Sequence, residues 1–149
     1  MRVLFFNALL LGVVIYAFLY GRRPEKIGAL IMLLGAVLTR IGAVVFTWRF
    51  AHVEWGALAV DIGGLAALFF LAVRTDRSWT LWLAALQLTT TLGHLARAID
   101  PEMLPNGYAF LLVAWSYPML LTIALGTRTQ QKKRRAAVQA AGSASRLKH

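Results

Sequence analysis

The sequence predicts an all-α integral membrane protein, a compact bundle of five transmembrane helices, and three observations carry that expectation. Hydrophobic residues make up 59% of the 149-residue chain and charged residues 15%, so a water-facing fold of this size would expose much of its apolar content. Five apolar stretches, about 3–20, 27–48, 55–73, 79–99 and 107–126, are each long enough to cross a bilayer as a helix. The connections between them are short, which leaves no room for a separate extramembrane domain.

The first stretch follows Arg2 and resembles the start of a signal peptide. Its length, the absence of a small-residue cleavage pattern and the Arg22-Arg23-Pro24 continuation favour an uncleaved helix. In the second stretch, Gly28, Gly35 and Gly42 recur every seven residues beside Ala29, Ala36 and Ala43. That period places small residues on one stripe and marks this helix as the central packing element, with a homo-oligomer as another use of the same face. Gly63-Gly64 gives the third stretch a similar approach site. The fourth is the weakest span because it holds Gln87, Thr90, Thr91, His94 and Arg97. Pro118 lies inside the fifth, where its missing N–H and ring predict a kink. Residues 127–149 form a basic tail, helical for a few turns and mobile after Gly142.

Charge sorts by connection. Twelve of sixteen basic residues fall in the first and third connections and the tail, whereas Glu54, Asp100 and Glu102 fall in the others. The positive-inside rule then places the N-terminus outside and the C-terminus in the cytosol of a bacterial-type plasma membrane. Tyr20, Trp48, Trp55, Trp79 and Tyr108 lie near expected helix ends, where amphipathic rings prefer the interface. Trp115 and Tyr117 lie deeper, as core filling or pocket lining. The tail cluster Lys132, Lys133, Arg134 and Arg135 reads as a lipid-headgroup contact and disfavours nucleic acid as the partner despite a net charge of +10.

The expected site is a polar cluster within the bundle. Arg40 lies roughly 12 Å and Asp61 roughly 9 Å from the same membrane face, counted at 1.5 Å per residue. Equal depth on consecutive helices makes them an expected ion pair, since either charge alone is costly in an apolar interior. Gln87, Thr91, His94 and Arg97 share a stripe of the fourth helix at steps of three and four and reach the same level. The cluster is open to three readings: an internal pair that fixes register, a pocket for an anionic or proton-coupled ligand, or a face for a partner subunit.

Enzyme signatures are weak, and no catalytic motif is recognisable, so the sequence leans away from an enzyme without deciding it. Cysteine is absent, which excludes disulfides, thiolate metal sites and cysteine nucleophiles. Ser116 lacks a nucleophile-elbow setting, and no two histidines stand at metal-binding spacing. His52 with His94 is a poor pair for haem ligation, and Asp100 with Glu102 reads as a solvated loop between Pro101 and Pro105. No cofactor and no metal are required. The functional expectation is an accessory or assembly subunit of a larger membrane complex. The alternative is a small outward-facing transporter or sensor using Arg40, Asp61 and His94.

Overall fold

The computed structural model describes residues 2–47, 53–99 and 105–146. They form five helices in chain order: α1 (Arg2–Tyr20), α2 (Arg23–Thr47), α3 (Val53–Arg74), α4 (Ser78–Ile99) and α5 (Pro105–Arg146). Trp48, Arg49, His52, Asp100, Pro101, Glu102 and His149, and the side chains of Glu54, Trp55, Arg97 and Tyr108, fall outside what is described, and with them the expected aromatic boundaries at Trp48, Trp55 and Tyr108.

The α1–α2 turn shows how local chemistry starts the fold. The N–H of Gly21 bonds the carbonyl of Ala17 at 2.8 Å, closing α1. A Cβ on Gly21 would stand 2.5 Å from that carbonyl oxygen and 2.7 Å from the Glu25 Cβ. Only glycine lets the two helices meet this tightly. Glu25 then reaches back so that its Oε2 accepts the Arg22 N–H at 2.8 Å, the carboxylate half of a capping box. A negative charge in the first turn of α2 also complements the helix dipole.

α3 packs most extensively on α4 and then on α2, while α5 is laid against α4 and α1. α2 itself packs on α1, α3 and α5. The seven-residue stripe on α2 is used at one end only: a Cβ on Gly28 would meet the Trp79 ring at 3.5 Å, whereas one on Gly35 or Gly42 would face open space. A Cβ on Gly64 would lie 3.6 Å from the Gln87 amide nitrogen, and one on its neighbour Gly63 would face open space. Spacing fixes which residues share a face; it does not fix how far along that face the neighbouring helix stays in contact.

The buried apolar cluster joins Leu10, Val13 and Ala17 of α1 and Ala29 of α2 to Leu68 and Leu71 of α3. Leu83 of α4 and Leu120 and Ile123 of α5 complete it. These positions lie toward the end of the bundle that carries the α1–α2 and α3–α4 turns. α5 continues through Pro118 as one helix of 42 residues, roughly 63 Å long at 1.5 Å per residue. The Thr122 hydroxyl donates to the Pro118 carbonyl at 2.7 Å, and Tyr117 packs edge-on against Phe6. Helix also persists beyond Gly142 to Arg146, where the sequence predicts a mobile stretch.

The five-span expectation is corrected. Among the described residues, one helical segment, Gly56–Arg74, is long and apolar enough to cross a membrane, with a mean hydropathy of 2.1, and Leu4–Tyr20 is a shorter apolar helix. α2 is interrupted by Arg23, Glu25, Lys26 and Arg40, α4 carries its polar stripe, and α5 runs on into the basic tail. Few described side chains are fully buried, and large apolar groups such as Leu4, Phe69, Trp82 and Leu121 remain exposed. Five apolar stretches are thus five helices of one bundle, of which one passes the span criterion. The outside N-terminus and cytosolic C-terminus, the multi-pass plasma-membrane location, and membrane lipids or a larger membrane complex as partners all rested on five spans. With them fall the accessory-subunit reading and its transporter or sensor alternative.

Candidate functional site

Two polar centres occur in the described residues, and they are built differently. The first joins α3 to α4. Asp61 Oδ1 accepts a hydrogen bond from the Gln87 side-chain amide at 3.0 Å, and His94 Nε2 approaches Asp61 Oδ2 at 3.1 Å. The Asp61 and His94 side chains are 16% and 14% exposed, so the contact is largely withdrawn from solvent. Oδ2 is buried and receives no aligned hydrogen bond. The His94 contact is thus one of charge and proximity rather than of hydrogen-bond direction. Burial raises the Asp61 carboxyl above its ordinary range, while the His94 charge and the Gln87 hydrogen bond act in the opposite sense.

Arg40 is not part of this cluster. Its guanidinium donates to the Asn7 side-chain oxygen of α1 at 2.8 Å, at an exposed position. Depth alone put Arg40 beside Asp61; the direction in which each side chain leaves its helix separates them. Thr91 is buried but spends its hydroxyl on the Gln87 carbonyl one turn earlier, at 2.9 Å. Thr89 and Thr90 make the same kind of local bond to Ala85 and Leu86, a common use of threonine within helices. Of the expected polar residues, the structure therefore brings together Asp61, Gln87 and His94.

The second centre lies at the turn end of the bundle, where Arg22, Arg77, Lys133 and Arg134 line an open cleft of about 500 Å³ together with Asp76 and Gln130. Three elements supply these groups: the α1–α2 turn, the α3–α4 turn and the extended part of α5. Gly126 allows the approach, because a Cβ there would lie 2.9 Å from the Trp79 ring at the start of α4. The Tyr16 hydroxyl donates to the Gln131 side-chain oxygen at 3.1 Å, which ties α1 to α5 beside the cleft. Thr80 is buried and bonds the Arg77 carbonyl through its hydroxyl at 2.6 Å, shaping the α3–α4 turn.

Glu25 is fully buried behind this cleft, with Oε1 3.5 Å from Arg77 Nη1. That oxygen has no aligned hydrogen bond, so Arg77 is held loosely by charge. Of the tail quartet expected at lipid headgroups, Lys133 and Arg134 line the cleft, whereas Lys132 and Arg135 are exposed outside its lining. The roles of Arg22, Arg77 and Gln130 were not read from the sequence. Their signal was present in the charge sorting, which gathers the first connection, the third connection and the tail at one end of an antiparallel bundle.

No described group of three or more His, Asp or Glu residues has the arrangement of a metal site. No family model, no curated protein and no solved structure matches this chain.

Proposed function

We propose that this chain is a binding module for a soluble phosphorylated anion, which it holds in the cleft at the turn end of the bundle. One observation carries the reading: four cationic side chains from three separate elements face a single open cleft with one acidic residue, Asp76, on its lining. Arginine and lysine at such a site donate charge-assisted hydrogen bonds to phosphate oxygens, and guanidinium can do so in bidentate form. Gln130, 6% exposed, adds neutral polar capacity at the cleft floor. The Asp61–Gln87–His94 centre has no comparable excess of charge, and its contacts support a structural role in fixing α3 against α4.

Titration calorimetry of the full chain with inorganic phosphate and glycerol phosphate tests the reading. Saturable binding is expected, weakening as ionic strength rises because the groups are partly exposed. Lys133→Gln should reduce affinity about tenfold, the size of one lost charge-assisted contact. Absence of saturable binding for every phosphorylated ligand tried would sink the proposal.

A further inference from the structure

We infer that the ligand carries two or more linked phosphate groups, and that they bind across two adjoining clefts. The inference rests on the anion-binding reading above and names the ligand class of that same site. A second open cleft of about 560 Å³ is lined by Arg22, Arg23, Pro24, Lys26 and Arg77. Arg22 and Arg77 therefore belong to both clefts and form the divide between them. A single phosphate satisfies one side of that divide. A linked oligophosphate can place one group against Lys133 and Arg134 and another against Arg23 and Lys26, with Arg22 and Arg77 donating to both.

The second cleft has no acidic residue on its lining. Glu25 supplies a counter-charge to Arg77, but it is fully buried and lies 3.5 Å away without hydrogen-bond alignment. Arg77 can thus keep Glu25 on one side and offer its remaining N–H groups to a ligand on the other, because a guanidinium has five donors. The Lys26 ammonium lies 5.9 Å from the Phe18 ring centroid, a cation–π contact that leaves its charge unneutralised. Pro24 has no N–H to donate, so recognition here comes from side chains. These groups match an oligophosphate, free or as the polar part of a nucleotide.

The experiment measures the affinity of the full chain for inorganic tripolyphosphate and for inorganic phosphate, with a third arm of phosphatidylcholine vesicles containing a diphosphate-bearing lipid. Tripolyphosphate is expected to bind at least about tenfold more tightly than phosphate. The double variant Arg23→Gln/Lys26→Gln should reduce that preference about tenfold, and circular dichroism with thermal unfolding verifies that the bundle is retained. Lys132→Gln/Arg135→Gln removes the same formal charge away from both clefts and should leave the preference within about twofold. An equal loss from this control variant would show general charge attraction and overturn the two-cleft assignment. So would equal affinity for the two anions, or an Arg23/Lys26 variant with its preference intact, while the anion site itself would stand. Failure of both soluble anions to bind would remove the site and the inference together, whether or not the vesicles capture the chain.

Discussion

The two polar centres differ in how their charge is answered. Around Asp61, a carboxylate meets an amide and an imidazole within 3.0–3.1 Å, and the group is largely closed to solvent. At the turn end, cations from α1–α2, α3–α4 and α5 face an open cleft and exceed the acidic groups beside them. An internally answered centre gains little by admitting a ligand, whereas an excess of exposed cations is completed by one. The contrast also follows position: α3 and α4 carry the Asp61 centre within their packed faces, while the cleft depends on turns and on a helix that extends past the core.

The largest expected effect tests whether the first centre is structural. Asp61→Ala removes the acceptor of Gln87 and the counter-charge of His94 and should cost about 3 kcal/mol in denaturant unfolding, with phosphate affinity in the still-folded fraction changed less than twofold. A parallel loss of affinity would erase the separation between the centres. Gly126→Ala comes next. A methyl group 2.9 Å from the Trp79 ring forces the helices apart, and an overpacking cost of about 1–3 kcal/mol exceeds the gain in helix propensity of about 1 kcal/mol. Stability and phosphate affinity should fall together here, since Gly126 both packs the core and brings α5 to the cleft. Gln87→Leu should cost about 1–2 kcal/mol by withdrawing a hydrogen bond from a buried carboxylate, again with affinity unchanged. Lys133→Gln is the reverse case: a shift in stability within about 0.5 kcal/mol and a clear loss in the binding isotherm.

Five helices were legible because each apolar stretch is bounded by charged or turn-forming residues, and α1 to α4 begin and end close to those limits, whereas α5 runs on to Arg146. Their relation to a membrane was not, because apolar content and a helix of sufficient length do not distinguish a true span from an apolar bundle helix interrupted by charge. Arg40 illustrates the limit of depth arguments. It matches Asp61 in position along the helix, yet it points to Asn7, a polar residue within the apolar run of α1 that drew no attention in the sequence. Asp61, Gln87 and His94 were legible as a group because two helices alone bring them together, and steps of three and four fix which residues share a face. The cleft needed a third element, and nothing in the spacing shows that Gln130, Lys133 and Arg134 turn toward Arg22 and Arg77. Gly126 gave no warning either, since its importance comes from an indole more than forty positions away.

The close approaches at Gly21 and Gly126 have a consequence for how this binding surface can change over time. Exchange between arginine and lysine at the rim keeps the positive charge but changes the donor geometry, so drift among them should retune ligand preference while the architecture persists. The two hydrogens that stand where other residues carry carbon allow no such latitude. A descendant that kept every cation but lost either hydrogen would own the right chemistry in the wrong place.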